Sequence, residues 1–227
     1  FGGGTPSLWA PESVAAVREA ALRAFPPPAG VTPEVTLEAD PTDLSREGLA
    51  ALRAAGVTRL SLGVQSLRDE RLRALGRLHS AAQALAAVGA ARAAGFDNLS
   101  VDLMIGLPGQ TREELAGELR GLLALAPEHL SLYQLTVEPR TAYAAAARTG
   151  ALVLPPDEEQ AALYQQVRET LDAAGYQHYE ISSFARRDRP LRSVHNQLYW
   201  SGGEYLGVGA SAHSFRYLPA GGGERFA

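Results

Sequence analysis

Ala54-Ala55-Gly56-Val57 decides the fold, because its chemistry recurs as Ala93-Ala94-Gly95-Phe96 and again as Ala173-Ala174-Gly175-Tyr176. Glycine after the last helical turn can take the left-handed conformation and close the helix. The apolar residue behind it leads into a strand. Helix, glycine, strand, repeated, signals β/α units and a parallel sheet, with right-handed crossovers.

Outward from these junctions the pattern continues. Val14, Val17, Leu22 and Phe25 predict one apolar helical face over 11–25, ended by Pro26-Pro27-Pro28. Short strands are predicted at 35–37, 60–64, 99–104 and 130–133. Leu49 and Leu52 anchor a helix from about Ser45 to Gly56, and an Ala-rich helix covers roughly 80–94. Thr111-Arg112-Glu113-Glu114 has capping-box spacing for a helix ending near Ala126. After Thr136 the repeat changes. Helices are predicted over 143–149 and 156–174, Tyr179-Glu180-Ile181 is strand-like, and Arg186 to Pro190 is a charged loop. The expected division is a barrel core over 1–140, then an extension and a small accessory lobe over 141–227.

Five motifs lie where strands run out: Gly2-Gly3-Gly4-Thr5-Pro6-Ser7, Leu37-Glu38-Ala39-Asp40-Pro41, Gly63-Val64-Gln65-Ser66, Asp102 to Gly109, and Ser131 to Thr136. In a parallel β/α barrel all such ends share one face, where active sites sit.

Composition narrows the chemistry. The 227 residues carry 21 basic and 25 acidic side chains, a net charge of −4, which gives no basic footprint for nucleic acid. No apolar run approaches the roughly 18 residues of a membrane span, and no signal-peptide pattern opens the chain. A cytoplasmic setting is expected. There is no cysteine, so the chain supplies no thiolate for a disulfide, zinc or iron–sulfur site. It opens at Phe1 without Met and closes in a glycine-rich loop, and so reads as a piece of a longer protein.

Each motif has a plain alternative. The glycine-rich start is a turn or a ligand cradle; without Gly-Lys-Ser/Thr it is not a Walker loop, and Ser7 breaks a dinucleotide fingerprint. Gly207-Val208-Gly209-Ala210-Ser211-Ala212 matches G-x-G-x-x-A, yet no βαβ unit follows, so it reads as packing or turn. Glu38 or Asp102 alone would be a cap or an ion-pair partner. Together on one barrel face, with Gln65 between them, they favour a polar ligand site. Arg77 reads plainly as surface charge. No histidine pair has i,i+4 metal spacing, and no G-x-S-x-G elbow is present. By spacing alone His195 and Trp200 are ordinary half-buried residues.

In order, Gly-Gly-Gly-Thr-Pro-Ser, Glu38-x-Asp40-Pro41, Arg59 to Ser66, Leu75-Gly76-Arg77-x-His79 and Asp102 to Thr111 resemble the oxygen-independent coproporphyrinogen III oxidase-like family, a radical S-adenosylmethionine (radical SAM) family. The resemblance covers essentially the whole chain. It implies an α/β fold, a partial (β/α)6 TIM-like barrel lacking its first strand, with a small C-terminal α/β lobe. It implies that Gly3, Gly4 and Thr5 hold the amino-acid part of SAM, that Glu38, Arg77 and Asp102 also contact it, and that Gln65 and Thr136 line the cavity. The family's [4Fe-4S] cluster is held by a Cys-x-x-x-Cys-x-x-Cys motif on the first strand. That motif is absent here, so the cluster is expected only in the intact protein. Two family functions compete: an oxidase of porphyrin biosynthesis, and a heme-binding, heme-inserting chaperone. His195-Asn196-Gln197-Leu198-Tyr199-Trp200 and Gln177 to Ser182 resemble the chaperone group, which implies His195, Tyr199 and Trp200 as heme contacts and heme-accepting proteins as partners. A SAM-binding barrel without radical chemistry is the third reading. Whether the chain is an enzyme stays open at this point.

Overall fold

Gly56, Gly95 and Gly175 all adopt positive φ, at 95°, 86° and 85°, in a computed structural model that describes residues 1–219 and 221–227, with backbone alone at Asp43. Each closes a helix as its sequence requires. Those helices are α2 (Arg46–Ala54), α4 (Ala81–Ala93) and α7 (Asp157–Ala173). Their starts are equally legible. Ser45 caps α2 by accepting from Gly48 N at 3.0 Å. Ser80 and Gln83 form a capping box on α4, and Thr111 and Glu114 form the expected one on α5 (Arg112–Ala124). Helix α1 is Pro11–Ala24, and a short helix not foreseen from the sequence, α3, covers Asp69–Ala74.

Strands β1 (Thr36–Ala39), β2 (Arg59–Gln65), β3 (Leu99–Ile105) and β4 (His129–Gln134) pair in parallel and in chain order. The mixed α/β fold with its parallel sheet is that of a partial TIM-like barrel. Beyond β4 the sheet changes character. After α6 (Ala142–Arg148) and α7, β5 (Tyr176–His178) and β6 (Ser183–Arg186) form an antiparallel hairpin, and β6 lies between β4 and β5. Tyr179-Glu180-Ile181 is therefore not strand but the hairpin connection. Tyr179 N donates to Ser183 O at 3.1 Å, and Ser182 N donates to the Glu180 carboxylate at 3.2 Å, so the segment satisfies itself locally.

Strand alternation sorts the two faces of the sheet. Leu37, Leu60, Leu62, Val64, Leu99, Val101, Leu103, Ile105, Leu130, Leu132 and Phe184 form one buried apolar face with the helices. The other face is mostly polar: Glu38, Ser61, Ser100, Asp102, His129, Ser131 and Ser183 are linked strand to strand by the pairing register. The apolar stripe expected on α1 is narrower than its sequence suggests. Val14 is buried, but Val17 and Phe25 are exposed, because α1 packs mainly along α2 at the margin of the sheet.

The chain divides into two compact units, Phe1–Pro190 and Leu191–Ala227. The loss of β/α repetition near 140 thus precedes the change of unit by some fifty residues, because α7, β5 and β6 still complete the first sheet. The second unit contains α8 (Val194–Trp200) and an antiparallel pair, β7 (Ser214–Tyr217) and β8 (Gly223–Phe226).

Candidate functional site

The glycine loop folds over the carboxylate of Glu38. Gly3 N donates to Glu38 Oε2 at 3.2 Å, and a Cβ on Gly2 would lie 3.0 Å from that same carboxyl group. A side chain at Gly2 would require the Glu38 carboxyl to shift from this position. Gly3 and Gly4 have φ of 76° and 67°, a region that favours glycine. Thr5 precedes a short 3-10 turn, Pro6–Leu8, without capping it through its side chain.

Asp102 occupies the middle of the polar face. Ser61 Oγ donates to its two carboxylate oxygens at 3.3 and 3.4 Å, and Ser131, its register partner on β4, adds another hydroxyl. Burial pushes the carboxyl up to about 6, and Glu38's charge adds to the rise; the hydrogen bond from Ser131, the Arg59 guanidinium and Ser61 oppose it. Further polar side chains line the same face, and the buried Arg59 Nε among them has no hydrogen-bond partner. Arg59 Nη1 donates to Asn98 Oδ1 at 3.2 Å, and His129 reaches Ser100 Oγ at 2.8 Å and the Tyr179 hydroxyl at 2.7 Å. Burial, with Arg59 adding to it, holds His129 well below the ordinary imidazole range, so the ring is neutral.

Gln65 arrives by a different device. The β2–β3 register shifts between Leu62 and Gln65, and Gln65 has φ of 64°, left-handed and rare for a side-chain-bearing residue. The irregularity turns its carboxamide across β3, where Tyr133 OH donates to Oε1 at 2.6 Å. Burial, with Asp102's charge behind it, pushes the Tyr133 phenol up to about 12. Tyr133 also senses Arg77 and Glu38, and Asp102 senses Glu38. Glu38, Gln65, Arg77, Asp102 and Tyr133 therefore share one electrostatic neighbourhood, with Gln65 at the end of β2 and Asp102 midway along β3 rather than at the strand end that the sequence suggested.

Arg77 is held there by Asp40, whose Oδ2 lies 3.7 Å from Arg77 Nη1 and whose Oδ1 lies 3.5 Å from His79 Nδ1. His79 is buried and its Nε2 donates to Val64 O at 3.0 Å. Burial opposes the charge on Asp40. The hydroxyl and amide of Thr42, then His79 and Arg77, outweigh it and hold the carboxyl below the usual range.

A second buried carboxylate supports the strand-end loops. Glu118 on α5 accepts from Ser66 Oγ, from Leu67 N at 2.8 Å and from Gln110 Nε2 at 3.0 Å, while Gln110 Oε1 accepts from Gly106 N at 2.8 Å. One side chain thereby ties the loop after β2 to the loop after β3.

Thr136, in contrast, is exposed two residues beyond β4. Tyr133, Asp40, Ser61, Ser131 and Glu118 were not singled out from the sequence. The signal was present for three of them: in Arg59-x-Ser61 and His129-x-Ser131-x-Tyr133 polar residues alternate with buried leucines.

In the second unit Ser193 caps α8 by accepting from Asn196 N at 3.2 Å. His195 and Tyr199 lie one turn apart with ring centroids at 4.5 Å. Tyr199 stacks on Tyr205 at 4.1 Å, and Tyr205 on Phe215 at 6.1 Å. Trp200 is 59% exposed and, five residues along, points about 140° around the helix from His195. His195 is exposed too. Neither is the half-buried residue that spacing alone suggested, because a seven-residue helix has no second layer to bury both sides. Gly207 is a packing glycine as expected, since a Cβ there would lie 2.2 Å from His213 O. Among the described residues no cluster of three His, Cys, Asp or Glu side chains could hold a metal, and no helix is long and apolar enough to cross a membrane.

Comparison with known proteins adds the following. The family model described as the radical SAM superfamily matches residues 1–120. The chain is 48% identical over 223 residues to the bovine (Bos taurus) radical S-adenosyl methionine domain-containing protein 1, mitochondrial, covering 98% of this chain and 49% of that protein. It is 41% identical over 215 residues to the heme chaperone HemW of Bacillus subtilis, covering 95% and 56%. Among solved structures it resembles coproporphyrinogen III oxidase (HemN) of Escherichia coli, a radical SAM enzyme, with a TM-score of 0.75 and 29% identity over 94% of this chain and 51% of that one. The chain spans about half the length of the curated relatives it matches.

Proposed function

The chain belongs to the radical SAM superfamily, and from that membership we propose that it is the SAM-binding core of a heme chaperone. The observation that carries the SAM site is the convergence of the glycine loop, Glu38 on β1, Gln65 at the end of β2, Arg77 and Asp102 midway along β3. The donor set suits SAM. Carboxylates on Glu38 and Asp102 match an ammonium group and ribose hydroxyls, and the Arg77 guanidinium matches a carboxylate. Gly3, Gly4 and Thr5 give the amino-acid end a close backbone surface, and Thr136 lies in the loop after β4. When bound, SAM supplies the sulfonium from which the superfamily's radical chemistry starts. Asp102 must be ionised to hold a cationic ligand, and the hydroxyls of Ser61 and Ser131 favour that state. The residues present do not fit a [4Fe-4S] cluster, since none of the 227 is cysteine.

Heme as cargo is supported by the likeness to curated heme chaperones and by the exposed His195 and Tyr199, the latter stacked on the half-buried Tyr205. Imidazole ligates heme iron and aromatic rings pack on a porphyrin face. Heme-accepting proteins follow as partners. The cytoplasm is the proposed setting, with the mitochondrial name of the bovine relative favouring an organelle instead. Likeness to the Escherichia coli oxidase favours a second reading, a coproporphyrinogen III oxidase. Two measurements on the full-length protein separate them. Heme titration followed by absorbance is expected to show binding. Conversion of coproporphyrinogen III to protoporphyrinogen IX without heme binding would give the case to the oxidase. For the SAM site, Glu38→Gln and Asp102→Asn are each expected to cost about 1.5–3 kcal/mol of SAM affinity by calorimetry, and unchanged affinity in both would refute it.

A further inference from the structure

We infer that Tyr133 is a positioning residue that aims Gln65, so that the pocket presents the carboxamide's N–H donors and selects a ligand atom that accepts a hydrogen bond. The inference rests on the SAM-site reading above.

Three observations meet at Gln65. Its backbone is left-handed, with φ of 64°, at an irregularity of the β2–β3 register. A residue in that conformation is held by its surroundings rather than by its own preference. Its Oε1 is taken by the Tyr133 hydroxyl at 2.6 Å, a contact that crosses the intervening strand β3 and spans 68 residues of chain. Its Nε2 stands over Gly63, where an added Cβ would approach to 3.0 Å. The carboxamide is thus fixed at its oxygen by a donor and given room at its nitrogen by a missing side chain. A carboxamide has one acceptor oxygen and two N–H donors. With the oxygen committed to Tyr133, the donors are what remains for a ligand. On SAM the matching atoms are ribose oxygens or the carboxylate. An ammonium group, which only donates, is excluded from that position.

The phenol suits the task. Burial, together with the charge of Asp102, keeps it protonated throughout the ordinary pH range, so its role as donor is constant. Removing the hydroxyl would let the amide rotate by half a turn and offer its oxygen to the ligand. The alternation His129-x-Ser131-x-Tyr133 puts Tyr133 on the polar face, but nothing in the sequence names its partner, which is two strands away.

The test is a double-mutant cycle on the full-length protein, with SAM affinity read by calorimetry and melting temperature recorded for each variant. Gln65→Ala and Tyr133→Phe are each expected to weaken SAM binding about five- to tenfold. In the Gln65→Ala background, Tyr133→Phe is expected to change nothing further. If Gln65→Ala leaves affinity unchanged, the SAM-site reading of Gln65 fails and takes this inference with it. If Gln65→Ala weakens binding but Tyr133→Phe does not, or if the two losses multiply, the site reading stands and the positioning role is overturned. Gly63→Ala supplies a second route, since its Cβ crowds the same carboxamide while leaving the phenol intact. It is expected to weaken binding only when Gln65 is present, and wild-type affinity in Gly63→Ala would likewise overturn the inference.

Discussion

Arg77 Nη1 lies 3.7 Å from Asp40 Oδ2, so the turn that carries Arg77 is tethered to the end of β1 rather than left on the surface. Arg77 is partly exposed, and such an ion pair contributes little to stability by itself. Its effect is on placement. Asp40 also accepts from Thr42 N at 2.9 Å and Thr42 Oγ1 at 2.7 Å, and it faces the buried His79. Asp40→Ala is therefore expected to cost about 1–2 kcal/mol of stability through the lost cap and to weaken SAM binding through Arg77. Arg77→Ala should weaken SAM binding without the stability loss. Equal melting temperatures for Asp40→Ala and wild type would contradict this.

Asp102 should make stability and ligand affinity run in opposite directions with pH. Its folded pKa is raised to about 6 from 3.8. The group's stabilising contribution is complete below 3.8 and is lost as pH rises through about 6. Asp102→Asn is expected to stabilise the free protein at pH 7, by roughly 3 kcal/mol at most. SAM affinity should instead fall as pH drops below about 6, and this dependence should flatten in Asp102→Asn. A melting temperature for Asp102→Asn at or below wild type at pH 7 would refute the argument.

Glu118 is a structural prediction with a sharp contrast between two variants. Glu118→Leu leaves the Ser66 hydroxyl, the Leu67 amide and the Gln110 amide group without their common acceptor. The expected cost is about 3–5 kcal/mol, enough to unfold a marginal domain. Glu118→Gln keeps one oxygen acceptor and should cost less. Urea midpoints for the two variants decide it, and equal midpoints would remove Glu118 from its proposed role.

For heme, His195→Ala in the full-length protein is expected to weaken binding while SAM affinity stays as it was. His195 is exposed on a short helix, so its truncation leaves no cavity. A lowered melting temperature with unchanged heme affinity would make His195 a packing residue. Tyr199→Ala should also weaken heme binding, more than Trp200→Ala, because only Tyr199 shares a helix face with His195.

Much of the architecture was legible because its signals are local. Gly56, Gly95 and Gly175 mark helix ends by backbone sterics alone, and the Thr111–Glu114 box marks a start. Glu38 and Asp102 were legible as site candidates because a carboxylate interrupting an apolar strand needs a reason. The pairing of Tyr133 with Gln65 was not, since the two lie 68 residues apart and meet at a register irregularity that no spacing announces. The strand-like reading of Tyr179-Glu180-Ile181 failed for a related reason. β-branched and aromatic residues suit a strand, but Tyr179 turns its hydroxyl to His129 and Glu180 folds back on Ser182. Exposure of His195 and Trp200 is decided by tertiary structure and not by their spacing.

The β5–β6 hairpin has a bearing on the order in which the sheet assembles. Its outermost pair, Tyr176 with Arg186, lies only ten positions apart in the chain, whereas Thr36 with Arg59, Leu60 with Leu99 and Ser100 with His129 each lie at least twice as far apart. Loop-closure entropy and contact order both favour the short closure. Hairpins form in microseconds, far ahead of parallel pairing. The hairpin is thus expected to be preformed when it meets β4, and the half-barrel to be completed against a ready-made wall. Changes that loosen the Tyr179–Ser182 connection should slow folding more than they speed unfolding, a kinetic asymmetry that stopped-flow measurements would reveal.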